Sequence, residues 1–251
     1  MNESPWEQAV RLTQAAMRTP QIKRFYEAAA VGEVDGGYAL MLDGRGARTP
    51  AKNRLVAPTR AIAEAIAEEW AEQGAVVDPT SMPMTRLANS AIDGVASTLA
   101  ETRADIARYA GADLICYRAE APEALVAMQA EAFDPVLVWA EDALGARLIL
   151  GAGVMHVTQP EPALAAVRAA VDAYQSPFAV AALHGLTSLS GSVLLALAVA
   201  RGAWSAEDAW RAAHVDEDFQ ILQWGEDDEA MARRAARWTE FEAAARVIGA
   251  V

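Results

Sequence analysis

The spacing of apolar residues divides the chain into two parts, and the change falls near residue 80. Before that point, residues 24–57 carry short apolar runs that Asp35-Gly36-Gly37 and Asp43-Gly44 interrupt. Asp-Gly between apolar runs is typical of a β-hairpin, because these residues tolerate a positive φ. We therefore predict a small antiparallel meander over this stretch.

Helical spacing follows directly after the meander. Ile62, Ile66 and Trp70 recur every four residues, which predicts a helix over residues 60–73. Another helix is predicted near the N-terminus, over about residues 4–17, because a Ser-Pro pair there has the character of a helix start.

Residues 78–83 contain two prolines and form the predicted domain boundary. Residues 114–117 and 148–149 beyond it are short apolar runs that favour strands. Helices are predicted at about residues 84–94, 97–110, 122–142, 161–174, 178–187, 190–201, 205–224 and 227–248. The predicted fold class is α+β, with a small antiparallel β-containing domain over residues 1–80 and a larger all-helical domain over residues 81–251.

The composition limits the classes of partner. Among 251 residues, 34 are acidic and 21 are basic, which gives a net charge of −13 and a pI of about 4.7. This charge disfavours nucleic acid and anionic membranes and favours a basic protein surface. Cys116 is the only cysteine, which excludes an intramolecular disulfide. The first residues lack the pattern of a signal or transit peptide, so we expect a bacterial cytoplasmic protein.

Residues 179–200 carry no formal charge and are long enough to span a bilayer. Polar and small residues interrupt the segment at His184-Gly185, Thr187-Ser188 and Ser190-Gly191-Ser192. We therefore predict two short buried helices around a turn, and no membrane insertion.

Motifs for catalysis, cofactors or metals are not apparent. Gly151-Ala152-Gly153 is interpreted as a loop, because it lacks the third glycine of a dinucleotide fingerprint. His156, His184 and His214 lie too far apart for metal-ligand spacing, so each is interpreted as a packing residue. Asp134-Pro135 is interpreted as a helix start rather than a general base. The sequence therefore predicts no enzyme activity and no cofactor or metal site.

The predicted helix over residues 205–224 combines acidic and apolar residues unusually. At about 100° per residue, one stripe runs from Trp210 through His214, Glu217, Ile221 and Trp224. A second apolar stripe, nearly opposite, comprises Val215, Phe219 and Leu222. The face between them carries Asp216, Gln220 and Gln223. A helix with two apolar sides is expected to be enclosed on both, with its polar side chains in narrow slots.

Two interpretations of the acids Asp216, Glu217 and Asp218 are open. They are either solvated or satisfied locally by neighbours such as His214 and Arg211, or they form a rigid anionic feature beside tryptophan, as binding hot spots often do. A second acidic run, residues 226–229, begins the next predicted helix, where the helix dipole favours acids.

Several segments, taken in order, resemble the motifs of one protein family. The segment near the C-terminus is Asp216-Glu217-x-Phe219-Gln220-x-x-x-Trp224-Gly225-x-Asp227-x-Glu229. The segments nearer the N-terminus are Arg24-Phe25-Tyr26, Leu42-Asp43-Gly44-Arg45, Thr49-Pro50, Glu68-Glu69-Trp70-x-x-Gln73, Pro79 and Met82-Pro83. Asp134-Pro135 and Ser190-Gly191-Ser192 also have similar residues at their positions. The family that this ordered set resembles is the Atp-twelve family of assembly chaperones for the catalytic head of the F-type ATP synthase.

The resemblance implies a chaperone rather than an enzyme. It implies that the chain binds the unassembled alpha subunit of the head and shields the surface destined for a beta subunit until the ring forms. No ATP hydrolysis is implied, and a monomer is expected for the free protein. Eukaryotic relatives are expected in the mitochondrial matrix.

The resemblance also implies a partner-binding site on the acidic helix. By position, the family's functionally important acid matches Asp216 best and Glu217 next, and the helical angle favours Asp216. The predicted partner-binding residues are Asp216, Glu217, Asp218, Gln220 and Trp224. Two alternatives remain. One is an enzyme or ligand-binding protein using these carboxylates with His214, which would need them to converge in a pocket. The other is a holdase without specificity for alpha.

Overall fold

A computed structural model describes residues 22–153 and 155–251. The predicted α+β class is confirmed, with a small antiparallel sheet region followed by a helical region. The predicted N-terminal helix lies outside the described residues. The division into domains at residue 80 remains a prediction.

The central sheet contains four short antiparallel strands. These are β2 (Ala29–Val34), β3 (Gly37–Leu42), β4 (Arg45–Gly46) and β5 (Val56–Ala57). Strand β3 pairs with β2 on one side and with β4 and β5 on the other. A separate antiparallel pair joins β1 (Ile22–Lys23) to β6 (Val76–Val77). The predicted meander is therefore confirmed.

The backbone of the hairpin turns adopts the positive φ values that Asp-Gly sequences favour. Asp43 and Gly44 connect β3 to β4 with φ values of 47° and 75°, the positive pair that a type I′ turn requires. Gly37 closes the β2–β3 hairpin at a φ of 142°. A Cβ atom there would lie 2.3 Å from the Ala57 carbonyl oxygen, so only glycine allows β5 to approach.

The helices confirm most of the predicted segments. They are α1 (Arg60–Ala71), α2 (Pro83–Asp93), α3 (Leu99–Arg108), α4 (Glu123–Leu144), α5 (Glu161–Asp172), α6 (Pro177–Ser190), α7 (Val193–Ala200), α8 (Ala206–Ala213), α9 (Val215–Trp224) and α10 (Asp228–Ile248). Helix α1 packs its apolar face, including Ile62 and Ile66, against the sheet. The predicted single helix over residues 205–224 is wrong, because the chain breaks at His214.

Three further predictions need correction. Asp134-Pro135 lies inside α4 rather than at a helix start. Proline has no N–H to donate to the carbonyl one helical turn earlier. Because Pro135 is exposed, that carbonyl can face water instead. Residues 148–149 form no strand, because the buried Gln159 amide bonds both the N–H and the C=O of Ile149 at 2.8 Å. Residues 151–152 are not a loop.

Gly151–Ala152 instead forms strand β8, which pairs in parallel with β7 (Tyr117–Arg118). The predicted strand at residues 114–117 is thus confirmed only at its end. A 3₁₀ turn, Leu114–Cys116, occupies the rest.

The core of the helical region is the uncharged pair α6 and α7. Six of the eight residues of α7 are buried. Helices α2, α3 and α10 pack on α6, while α4 and α8 pack on α7. The interrupting hydroxyls are satisfied within the pair, since Thr187 Oγ1 donates to the Leu183 carbonyl and Ser192 Oγ accepts from the Leu195 N–H. Within the described ranges, no helix has the length and apolar character needed to cross a membrane.

Side chains of α1 connect the sheet region to α2. Glu69 accepts hydrogen bonds from the N–H groups of Met84 (2.6 Å) and Thr85 (2.8 Å) and from the Thr85 hydroxyl (2.7 Å). Trp70 Nε1 donates to the same hydroxyl at 3.1 Å. Helix α2 has no side-chain cap of its own, so Glu69 supplies the acceptors that its first turn needs.

Asp113 performs a similar role at the start of α7. Its carboxylate accepts from the N–H groups of Ile115 and Leu194, each at 3.2 Å. The side chain is fully buried. Burial raises the pKa of Asp113 to about 6, and the hydrogen bonds from Ser192 and Leu194 offset only part of this rise.

We expect Glu69→Ala to lower the free energy of unfolding by about 1–3 kcal/mol, because two part-buried N–H groups lose their acceptor. The matched control is Glu68→Ala, which removes an exposed carboxylate from the same helix and should change stability by less than about 0.5 kcal/mol. Urea unfolding of both variants measures the difference. Equal effects would contradict the capping role.

We expect the contribution of Asp113 to stability to fall as pH rises from about 4 to 6. Between its ordinary pKa and about 6 the native state holds a proton that the unfolded state has released. Asp113→Asn cannot ionise, so wild type should lose roughly 2–3 kcal/mol relative to this variant across that window. Urea unfolding at a series of pH values, with exposed Asp142→Asn as control, measures it. A constant difference would contradict the raised pKa.

Candidate functional site

The break between α8 and α9 lies at His214, whose backbone (φ −117°, ψ 19°) leaves the helical region. Its ring is buried 3.8 Å, centroid to centroid, from the Trp210 ring. The Nδ1 atom lies 2.8 Å from the Trp210 carbonyl oxygen. Trp210 in turn packs against Phe241 and Trp238 of α10.

This environment makes His214 a packing residue. Burial lowers the pKa of His214 below its ordinary value, while the Trp210 carbonyl and the Glu217 charge raise it less. The ring is therefore neutral near pH 7. This agrees with the interpretation of the histidine from sequence.

The base of α9 is fixed against α4. Val215 and Phe219 are buried, and Asp216 Oδ1 accepts from Gln129 Nε2 at 2.6 Å. The side-chain oxygen of Gln129, Oε1, accepts from the Ala119 backbone N–H at 2.7 Å. Since a backbone N–H can only donate, this bond fixes the amide orientation and directs the Nε2 group to Asp216.

The three acids differ in how they are compensated. Asp218 forms an ion pair with Arg234 of α10. Asp216 is held by a neutral amide, which leaves its charge in place. Glu217 is exposed and forms no hydrogen bond or ion pair with any residue that the structure describes. The start of α9 therefore presents two uncompensated negative charges.

The end of α9 projects into solvent. Leu222 is 71% exposed and Trp224 is 79% exposed, and Gln220 is exposed beside them. Gly225 then ends the helix at a φ of 85°. Single exposed apolar residues are common, but a nearly free tryptophan next to an exposed leucine is typical of a contact surface.

The predicted tryptophan stripe is therefore wrong. Trp210 is buried and Trp224 is exposed, because the break at His214 stops the helical angle from continuing across it. Helix α9 is also not enclosed on two sides. Its buried residues lie in its first half and pack on α4, and Glu217 does not lie between tryptophans.

The second acidic run begins α10, as predicted. Asp227 caps this helix, since its carboxylate accepts from the Ala230 N–H at 2.7 Å. Glu229 forms an ion pair with Arg233 one turn later. These acids satisfy the helix start and its neighbours.

A groove of about 470 Å³ borders α9 on the side of α4 and α8. Its lining includes the carboxylates of Glu131, Asp208 and Asp218. The Trp204 ring and the Met128 side chain also line it. Asp208 is paired with Arg211. Arg211 also lines the groove, and Asp218 is paired with Arg234, so among the described lining residues Glu131 supplies the unpaired negative charge beside the apolar walls. This combination suits an arginine or lysine side chain with its aliphatic stem.

The carboxylates of Asp216, Glu217 and Asp218 do not converge on His214. Asp216 and Asp218 bond to different helices, and the His214 ring bonds its own backbone turn. Across residues 22–153 and 155–251, no group of three or more His, Cys, Asp or Glu side chains could hold a metal ion. The geometry that the enzyme alternative needs is therefore not present in this cluster.

Two site residues could not be found from sequence. Gln129 lies 87 positions from Asp216, and Arg234 lies 16 positions from Asp218 on a different helix. No local pattern connects either pair.

Comparison with known proteins gives a family match in the first half of the chain. Residues 23–141 match the family model described as ATP12 chaperone protein. This range includes the sheet, α1–α3 and most of α4, but not α9.

Solved structures extend the similarity to almost the whole chain. A proposed chaperone from Agrobacterium tumefaciens is 48% identical with a TM-score of 0.89, and the alignment covers 99% of this chain and 92% of that one. Atp12 from Paracoccus denitrificans is 43% identical with a TM-score of 0.84, over 91% of this chain and 97% of that one. A variant of that protein, with an aspartate changed to lysine, gives the same values.

Identity above 40% over nine-tenths of both chains, together with the family match, leaves one assignment. The chain belongs to the ATP12 (Atp-twelve) family of chaperones.

Proposed function

We propose that this chain is an assembly chaperone for the catalytic head of the F-type ATP synthase. It binds the unassembled alpha subunit and covers the surface that later meets a beta subunit. The observation that carries the proposal is the arrangement on α9, where two uncompensated carboxylates lie close in sequence to exposed Leu222 and Trp224.

The two halves of α9 have complementary roles in this proposal. The exposed leucine and tryptophan supply apolar contact area, and tryptophan is among the residues that dominate binding energies. Asp216 and Glu217 attract a basic patch and fix the orientation of the client. The bond from Gln129 and the buried Phe219 hold α9 in place, so little conformational freedom is lost on binding.

The groove beside α9 accepts a basic side chain of the client. Glu131 would pair with a guanidinium or ammonium group, while Trp204 and Met128 contact the aliphatic stem. Release then follows when a beta subunit competes for the same alpha surface. This cycle needs binding energy alone, so the chain acts as a chaperone and not as an enzyme.

Asp216→Lys should abolish the ability of the chain to keep co-expressed alpha subunit soluble, because it reverses the charge that faces the client. Circular dichroism should remain unchanged, since Asp216 is exposed and the substitution removes one hydrogen bond, that from Gln129. Asp216→Asn separates the two roles, because its carbonyl still accepts from Gln129 while the charge is lost. Soluble alpha, measured by fractionation, should fall for both variants.

The matched control is Asp142→Lys, the same reversal at an exposed position of α4. It should leave soluble alpha unchanged. If Asp216→Lys also leaves alpha soluble, this acid is not part of the client site. If Asp216→Asn behaves as wild type, positioning by Gln129 matters and the charge does not.

Trp224→Ala should weaken alpha binding by about tenfold or more, as expected for a central aromatic contact. Its free energy of unfolding should change by less than about 0.5 kcal/mol, because the ring is exposed. Val138→Ala removes another exposed apolar side chain, on α4, and should leave affinity unchanged. Titration of purified alpha against each variant measures this. Equal affinities for the two variants would contradict the assigned contact.

Specificity separates this proposal from a general holdase. The chain should suppress aggregation of the alpha subunit and not of unrelated unfolded proteins at the same concentration. Light scattering during dilution from denaturant measures both. Equal suppression of unrelated clients would favour the holdase alternative.

A further inference from the structure

A second cleft, of about 620 Å³, lies in the sheet region and is not part of the α9 site. Three separate stretches of chain form it: the segment after β1, the β3–β4 turn with the residues that follow, and α1. Its lining residues are Phe25, Tyr26, Leu42, Asp43, Arg45, Gly46, Ala47, Arg48 and Trp70.

Aromatic rings form one wall of this cleft. Phe25, although 66% exposed, packs edge-on against Tyr26 (5.4 Å between centroids) and Trp70 (6.5 Å). The Tyr26 hydroxyl donates to the Trp70 carbonyl at 2.6 Å, and Trp70 Nε1 donates to Thr85. Because both polar atoms already have partners, the rings offer only apolar surface to an occupant.

Two charged residues near the cleft are already engaged by the protein. Both oxygens of Asp43 accept from the N–H of Glu27, and Oδ1 also accepts from the N–H of Ala28. Arg24 lies over the Tyr26 ring and donates to backbone carbonyls, including that of Gln73. These bonds fix the position of both side chains, so both groups hold the cleft in shape.

Arg45 and Arg48 provide the remaining charge. Both are exposed. Arg48 donates one Nη1 bond to the Lys52 carbonyl, and the Arg45 side chain has no hydrogen bond or ion pair within the described part of the chain. The cleft therefore has an apolar wall and a rim on which two arginines outnumber the one carboxylate, that of Asp43.

The positive rim contrasts with the rest of the protein. Residues 22–60 contain seven basic and four acidic side chains, whereas residues 61–251 contain twelve basic and twenty-eight acidic ones. Both lysines of the chain, Lys23 and Lys52, also lie in the first of these ranges. An acidic ligand is thus favoured at this cleft and disfavoured over most of the remaining surface.

We propose that this cleft binds an extended segment of a partner protein in which an aromatic or branched apolar side chain lies next to a carboxylate. The apolar side chain packs on Phe25 and Trp70, and the carboxylate pairs with Arg45 or Arg48, which present planar donors suited to it. We assign this segment to the same client that binds at α9, and this assignment rests on the proposed function.

Charge selects this occupant over other ligands of aromatic clefts. A quaternary ammonium or lysine ligand would be repelled by the two arginines, and Arg24 already covers the Tyr26 ring. A single-stranded nucleic acid could stack on the rings, but its many phosphates would meet the acidic excess of residues 61–251. A short segment with one or two carboxylates avoids this repulsion.

The test uses the full chain and a fluorescein-labelled peptide in which leucine and phenylalanine alternate with aspartate. Fluorescence anisotropy should show binding that is at least about tenfold weaker for Phe25→Ala and for Arg45→Glu. Arg147→Glu makes the same charge change at an exposed position after α4 and should bind as wild type. The same peptide with lysine in place of aspartate should not bind.

Peptide binding is independent of the α9 site, so Asp216→Lys should bind the peptide as wild type. If the client carries the segment, Arg45→Glu should weaken alpha binding even when Asp216 is intact. Loss of alpha rescue only in Asp216→Lys would support the proposed function and overturn the ownership assigned here. Loss only in Arg45→Glu would assign alpha binding to this cleft and overturn the role given to α9.

Other results would overturn the proposal. These are equal binding of the aspartate and lysine peptides, equal affinities of Arg45→Glu and Arg147→Glu, or displacement of the peptide by an oligothymidylate. Tighter peptide binding by Trp6→Ala would assign the cleft to residues of this chain before Ile22. A dimer in sedimentation that Phe25→Ala dissociates would assign it to a second copy.

Discussion

The burial of the uncharged helix pair α6–α7 is the constraint on which the rest of the helical region depends. A segment without charges is stable inside a protein only if every polar atom that enters with it finds a partner. Thr187, Ser190 and Ser192 bond to nearby backbone groups, so the pair needs no water. The remaining helices cover it, and the acidic residues consequently lie on their outer faces.

This arrangement explains why α9 is fixed at one end and free at the other. Its first turn contacts α4 through Val215 and Phe219, and an amide from α4 holds Asp216. Beyond that turn nothing in the described ranges covers Leu222 or Trp224. The same helix therefore combines a fixed base with exposed apolar side chains, which is the arrangement that a binding surface needs.

Local signals in the sequence predicted most of the fold. The Asp-Gly turns, the four-residue spacing in α1 and the polar interruption between α6 and α7 each act over a few residues, so a local pattern is sufficient. The break at His214 could not be predicted in this way, because it depends on Trp210 packing against Phe241 of a helix that follows later. The helix start predicted at Asp134-Pro135 was wrong for a related reason. A proline is tolerated inside α4 only where the helix faces water, and the local sequence does not show which side that is.

The sequence suggested which residues form the candidate site, but it did not predict how they are arranged. The acids and Trp224 were identified from one stretch of sequence, but their compensation depends on partners from α4 and α10. Asp218 is paired with Arg234 and Asp216 with Gln129, so the three acids are not equivalent. Only long-range packing determines which of them retain an unpaired charge.

The Gln129 amide connects α9 to the segment after β7 through α4. It bonds Asp216 through its nitrogen and the Ala119 backbone through its oxygen, and the Gln129 carbonyl accepts from Arg118 in β7. A cation that drew Asp216 away from this amide would leave a buried donor without its acceptor. Under the proposed function, binding at α9 would therefore be linked to the order of the segment after β7. Because linkage is reciprocal, a change that loosens this segment would then alter client affinity as well.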